Sequence, residues 1–395
     1  MSTFAPLQGV RVIDFTKILA GPLCTQYLAD LGAEVIKVEP LGTGDDTRHW
    51  PPFDDGVGTV FLSVNRNKQS LAIDLKTPAG LEAARRLAKV SDVAVESFSP
   101  GVADRLGVGY EDLKGVNPRI VYCSISGYGS VGPMREGKGY DVILQAFTGM
   151  LSITGEPGGN PVRSPFSPVD QGTGLHAVIG ILGGLLQCKR TGEGVKVEAS
   201  LFDTAVAFLG YFLQAYWQRG TEPARLGSGH ESLCPYQAFE TADLPLILGV
   251  ANDSLWQAFC QVAGAPDLAN LAQFRTGADR VRNRTECVSR VQDLLRSRPR
   301  EQWLRELDAA GIPCSPVNTL GELSAHPHTR ESGMVFDYDA SLKGVAPAVR
   351  VDGERPGSRN APPKLGEQSA DALRAAGYAQ AEIDRLVRDK VVALG

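Results

Sequence analysis

The segment VRVIDFTKILAGPLCTQYLADLGAEVIKVE (residues 10–39) decides the fold. Residues 10–15 are a short apolar run of strand length. Residues 21–32 read as a helix, with Pro22 near its start and Gly32 just past its end. Residues 33–39 are a second strand. The alternation continues outward. QSLAIDL (69–75), DVAVES (92–97) and RIVYCSIS (119–126) are further strands, and Thr77 and Pro78 supply an N-cap and an N1 proline for the helix AGLEAARRLAKV. Apolar strands separated by helices predict βαβ units and a parallel sheet covered on both faces.

From residue 140 helical signals dominate. The run LFDTAVAFLGYFLQAYWQ (201–218) is apolar on nearly all sides, which predicts burial within the chain or between subunits. The polar, Gly-rich stretch 219–231 predicts a boundary. The sequence therefore divides into a large N-terminal part (1–220), a small α/β domain (221–320) and a C-terminal return (321–395), the last ending in a helix over 381–394.

The chain has 395 residues, of which 43% are hydrophobic, enough for more than one core. Its formal charge of -5, with no Lys/Arg block, argues against a nucleic-acid or anionic-membrane partner. Seven widely spaced Cys, none in a C-x-x-C pair, argue for free thiols and against a zinc site. HPH (326–328) lacks further ligands nearby, so no metal is expected. The first residues lack a signal-peptide pattern, and the longest apolar helix, residues 174–188, falls short of the roughly 20 residues that cross a bilayer. The expectation is a cytoplasmic protein.

Two acidic residues are candidates for chemistry. Glu39, after the second strand, stands where dinucleotide-binding folds hold a ribose, but FTKILAGP lacks the G-x-G-x-x-G glycines. Asp170, in SPVDQGTG, has two readings. It is a helix N-cap by type and position, or a nucleophile framed by glycines that allow close approach. Arg48, beside Trp50, suits either a carboxylate ligand or a loop ion pair.

The blocks GVRVIDFTKILAGPLCTQYLADLGAEVIKVEP, RNKQSLAIDLK, VESFSPGVADRLG, ISGYGSVGP, GYDVILQAFTGM and VDQGTGLHAVIGILGGL together resemble the family III CoA-transferases, strongly over about residues 7–215 and more weakly beyond. The family also contains formyl-CoA transferase, carnitine CoA-transferase and alpha-methylacyl-CoA racemase. The resemblance implies an α/β fold with a large Rossmann-like domain built from both chain ends, a small α/β domain, and an interlocked homodimer. It implies Asp170 as the nucleophile that forms an acyl anhydride and an aspartyl-CoA thioester, with no cofactor beyond the CoA thioester itself. It places Ile18, Leu19, Ala20, Ile73, Lys76, Ser97, Arg105 and Leu106 on CoA, and Lys138 and Tyr140 near the reacting group. Arg48 and Trp50 would hold the acid.

Three departures are visible. Pro40 stands where some members place an arginine over the adenine. Only Gly227 and Gly229 remain of a Gly-rich lid, which implies a different lid with Gly229 and His230. The racemase branch uses a His and a Glu as paired bases. Tyr140 and Asn252 occupy those positions here and are poor bases. That favours transfer over racemisation, with a non-catalytic CoA-binding protein as the remaining alternative. The PYQAF stretch and the shortened lid place the chain nearer the members that use succinyl-CoA and a dicarboxylate.

Overall fold

Arg11–Phe15 forms the first strand, β1. Alternation along it sends Val12 to one face of the sheet and Ile13 and Phe15 to the other. Six strands join it: Glu34–Glu39 (β2), Lys68–Ile73 (β3), Val93–Glu96 (β4), Val121–Ser126 (β5), Lys196–Ser200 (β6) and Val392–Ala393 (β7). The computed structural model describes residues 4–339, 341–356 and 360–395.

The sheet order is β7-β3-β2-β1-β4-β5-β6. All neighbours are parallel except β7, which is antiparallel to β3. The chain winds outward from β1 through β2 to β3, then returns to β4 on the other side of β1. Sheets of this order open a crevice beyond the carboxyl ends of the two strands where the winding reverses. Here that point lies at Phe15 and Glu96, which are register partners.

Helices Ala20–Asp30 (α1), Pro78–Lys89 (α2), Asp141–Phe147 (α3), Pro168–Thr191 (α4) and Leu201–Phe208 (α5) follow the strands. On one face, α1, α4 and α5 bury Val12, Val35, Val95, Val121 and Cys123. On the other, α2 and the C-terminal helices Ser369–Ala375 and Gln380–Arg388 bury Ile13, Ile36, Leu71 and Ala94. Covering both faces explains why the strands are apolar at successive positions. Thr77 caps α2 as expected, accepting from the Gly80 amide at 3.0 Å ahead of an N1 proline.

The chain forms two compact units. One comprises the chain through Met150, Ser164–Ala215 and His328–Gly395; the other comprises Leu151–Arg163 and Tyr216–Pro327. The second unit has a three-stranded antiparallel sheet with Leu246–Gly249 at its centre, flanked by Tyr236–Phe239 and Cys314–Pro316. Trp256, Phe259, Phe274 and Trp303 fill its core.

Two expected elements differ. The final helix stops at Arg388 rather than running to 394. Lys390 adopts φ 55°, and the chain turns out to form β7, where Val392 is buried and the Asp74 amide donates to the Val391 carbonyl at 2.9 Å. At the sheet edge Val391 and Val392 both join the core on that face. The apolar run 201–218 breaks at Leu209. Its second piece, Gly210–Arg219, has no buried residue, and Tyr211 is 61% exposed. All seven cysteines are free, and no helix among the described residues is long and apolar enough to cross a membrane.

Candidate active site

Two adjoining cavities open at the carboxyl ends of the large sheet. One, of about 230 Å3, is lined by residues 17–21, 97–100, 125–127 and 137–140 with Asp170 and Leu201. The other, of about 360 Å3, is lined in part by Pro40, Ile73, Lys76 and Leu106. Lys17, Asp46 and Phe98 line both. Lys17 and Asp46 form a half-exposed ion pair at 2.9 Å.

The loop after β1 owes its shape to buried charge. Ile18 has φ 73°, an unfavourable conformation for a β-branched residue. Asp45 holds its amide, with both carboxylate oxygens at 3.3 Å. Asp45 is fixed in turn by buried Lys37 at 2.9 Å and by the Thr47 hydroxyl at 2.7 Å. Lys37 also donates to the Thr16 carbonyl at 2.8 Å. Beneath the loop, Asp14 accepts from Thr16 and Thr25 hydroxyls, both at 2.6 Å, and from Lys68 at 3.1 Å. Burial pushes the Asp14 and Asp45 carboxyls up, but the lysines and threonines together outweigh it and hold both below the ordinary carboxylate range. Burial also pulls the Lys68 amine down to about 8, against the attraction of Asp14.

The head of α4 is built differently. Ser167, its N-cap, is left-handed at φ 53° and offers no side-chain cap; Pro168 is N1 and Asp170 is N3. Asp170 is therefore not the cap. The buried Asp141 supplies the acceptor instead. Its Oδ2 takes the Val169 amide at 2.9 Å and the Asp170 amide at 3.2 Å, and its Oδ1 takes the Gln145 side-chain amide. Gln145 Oε1 accepts from the Ser164 amide at 2.9 Å, which ties down the approach to the helix. The Asp170 carboxylate has no hydrogen-bond partner among the described residues, and it lines the smaller cavity. Burial, and then the like charge of Asp141, push it up to about 7.

Gly174 brings the two halves of the site together. A Cβ there would lie 2.7 Å from the Ala20 carbonyl oxygen, so only glycine lets the first turn of α1 rest on α4. The α1 turn follows Ile18 and Leu19 directly, which places that loop and Asp170 in one cavity.

Ile18, Leu19, Ala20, Ser97, Lys138, Tyr140 and Asp170 thus meet in one cavity, and Ile73, Lys76 and Leu106 in its neighbour. Arg105 is exposed on the helix Val102–Leu106 and lines neither. Trp50 is 40% exposed and also lines neither. The expected role of Arg48 is corrected. Its guanidinium is buried over the Phe61 ring, forks onto Glu39 at 2.7 and 2.8 Å, and donates to the Pro363 carbonyl at 3.1 Å. It is the loop ion pair, and it also occupies the Glu39 carboxylate that a ribose would need. Gly229 and His230 lie in the second unit. Arg284 donates to the His230 and Glu231 carbonyls at 2.8 Å, and the His230 amide donates to the Tyr236 carbonyl at 3.1 Å. Asn252 caps the helix Asp253–Val262, accepting from the Leu255 amide at 2.9 Å. Sequence reasoning missed Lys17, Asp46, Phe98 and the capping role of Asp141. Adjacency to Ile18, Ser97 and Tyr140 could have signalled Lys17, Phe98 and Asp141; Asp46 had no such neighbour.

The chain is similar over nearly its whole length to known CoA-transferases. Residues 7–369 match the family model described as CoA-transferase family III. The chain is 39% identical to the succinyl-CoA:glutarate CoA-transferase of Mus musculus, over 98% of its own length and 90% of that protein. It is 37% identical to the acetyl-CoA:oxalate CoA-transferase of Acetobacter aceti, over 93% and 95% of the two chains. A crystal structure of a CAIB/BAIF family protein from Brucella suis matches with a TM-score of 0.85 at 35% identity, covering 94% of this chain and 99% of that one. The chain belongs to CoA-transferase family III. It is accordingly an enzyme, a CoA-transferase.

Proposed function

We propose that the protein transfers CoA from succinyl-CoA to a second dicarboxylate, with Asp170 carrying the acyl group. The observation that carries the mechanism is the Asp170 carboxylate itself, which lines the cavity and has no hydrogen-bond partner among the described residues. The donor and acceptor classes are those in the names of the similar enzymes from Mus musculus and Agrobacterium fabrum, a succinyl-CoA:glutarate and a succinate–glutarate CoA-transferase.

In the first step an Asp170 oxygen bonds to the thioester carbonyl carbon. The C–S bond breaks, and its electron pair leaves on sulfur as CoA thiolate. The product is a mixed anhydride. The thiolate then attacks the aspartyl carbonyl, releases succinate and forms an aspartyl-CoA thioester. The acceptor carboxylate displaces the thiolate to give a second anhydride. Finally the thiolate takes the acceptor acyl group, and the Asp170 carboxylate is regenerated. Covalent catalysis splits one hard transfer into easier ones. An anhydride keeps the activation of the thioester, which a serine ester would lose. Each step exchanges one acyl bond for another, so the chemistry calls on no redox or metal group beyond the CoA thioester.

The nucleotide end of CoA fits the larger cavity, with Ile73, Lys76 and Leu106, and the thioester fits the smaller one beside Ser97 and Tyr140. Lys17 and Lys138 line the smaller cavity and replace Arg48 as cations for a distal carboxylate. The first turn of α1 lines it too, and a helix N-terminus favours negative charge. Asn252 is occupied as a helix cap, which supports transfer over proton abstraction. The protein acts in this reading as a cytoplasmic homodimer of interlocked chains. Exposed Ile143, Phe147, Ile179, Leu186 and Phe208 on α3, α4 and α5 form the apolar surface such a partner would cover.

The test mixes the enzyme and succinyl-CoA with a panel of mono- and dicarboxylic acids. New dicarboxyl-CoA products are expected. Exchange of an α-proton of an acyl-CoA with solvent deuterium, without transfer, would overturn the reading in favour of an isomerase.

A further inference from the structure

We infer that Asp141 is the positioning residue that keeps Asp170 available as a nucleophile, by taking over the head of α4. The inference rests on the reading of Asp170 given above. An Asp at N3 has an ordinary local use, which is to fold back onto the free amides of the first helical turn. Here those amides are already taken. Asp141 Oδ2 holds the Val169 and Asp170 amides at 2.9 and 3.2 Å. Ser167 cannot compete, because its left-handed conformation carries no side-chain cap.

Asp141 is itself locked. It is 6% exposed and bonded to Gln145, and Gln145 holds both the amide and the carbonyl of Ser164, at 2.9 and 3.3 Å. One residue pair on α3 thus sets the start of α4 and the segment leading to it. Asp141 has a second effect through its charge. It stands behind Asp170 and adds to the burial that raises the Asp170 carboxyl. The other titratable groups around the cavity are Lys17, Asp46, Lys138 and Tyr140, on three other segments. Asp141 is the charged group that touches the Asp170 backbone.

The two effects separate by substitution. Asp141→Asn keeps an oxygen for the helix amides and removes the charge, and it gives up only the bond to the Gln145 side-chain amide, which would then face a second donor. Its kcat is expected to stay within about tenfold, while the acid limb of kcat/KM moves to lower pH by about one unit. Asp141→Ala removes the cap, so the Asp170 carboxylate can fall onto the vacated amides. A misplacement of about 1 Å is expected to lower kcat by roughly 100-fold, with KM for acyl-CoA changed less than about threefold. Wild-type kcat in the Ala variant, or an unmoved acid limb in the Asn variant, would overturn the inference. Should the Ala variant fail to fold by thermal unfolding, the pH profile of the Asn variant decides alone. The parent reading is checked separately by quenching wild-type enzyme with succinyl-CoA. No acyl group on Asp170 removes that reading. A trapped acyl group together with unaffected Asp141 variants removes only the role of Asp141.

Discussion

Asp14, Glu39 and Asp45 sit at the carboxyl edge of β1 and β2, each in reach of a cation. Lys68 lies 3.1 Å from Asp14, Arg48 2.7 Å from Glu39, and Lys37 2.9 Å from Asp45. Asp141 and Asp170, at the head of α4, have no cationic partner among the described residues. The first three carboxyls are held below the ordinary range, whereas Asp170 is lifted to about 7. Burial pushes Asp14, Glu39, Asp45 and Asp170 in the same direction, upward. The partners differ. A carboxylate filled with cations and hydroxyls is ionised but has no free electron pair aimed at a substrate, so it shapes the loop. A carboxylate denied such partners is strained toward reaction, and binding a carbonyl carbon relieves its charge.

That contrast can be broken at four points. The largest effect is expected at Asp170. Asp170→Ala removes the acyl carrier, and transfer from succinyl-CoA should fall at least about 1000-fold in kcat, read by product formation. Next is Lys37→Met. It leaves Asp45, which holds the Ile18 loop, as a buried charge without its cation, and denaturant unfolding should show a loss of about 3–5 kcal/mol.

The third effect has the opposite sign. The Asp170 carboxyl is raised from 3.8 to about 7 on folding. Between those values the unfolded chain has released the proton and the folded chain retains it. Stability therefore falls as pH rises across that window, and the cost is full above about 7. Asp170→Asn escapes this cost. It should be more stable than wild type at pH 8 by on the order of 2 kcal/mol, with the gain vanishing near pH 4, read by unfolding at both pH values. A gain that persists at low pH would point to packing instead. The smallest effect belongs to the half-exposed Lys17–Asp46 pair. Asp46→Ala should cost less than about 1 kcal/mol of stability in the same assay.

The same contrast marks what was legible beforehand. Local signals were readable where the physics is local. The Thr77 cap, the β1–α1–β2 opening and the alternating strands follow from neighbours a few residues apart, and the structure contains each of them. Asp170 stood out because proline and glycines frame it. Its meaning did not, because the group that displaces it as a cap lies 29 residues away in sequence. Arg48 looked alike under both of its readings, and only the register of β2 against the following loop brings Glu39 under it. The membership of Leu151–Arg163 in the second unit had no local sign either. It shows in Arg225, which donates to the Ser152 and Gly159 carbonyls at 3.2 and 2.7 Å.

The most direct measurement is rapid acid quench of the full-length enzyme mixed with succinyl-CoA and no acceptor, followed by peptide mass mapping. The account predicts a succinyl or CoA adduct on the peptide that contains Asp170, discharged when a dicarboxylate is added before the quench. An enzyme that turns over at full rate while that peptide stays unmodified at every quench time would contradict it.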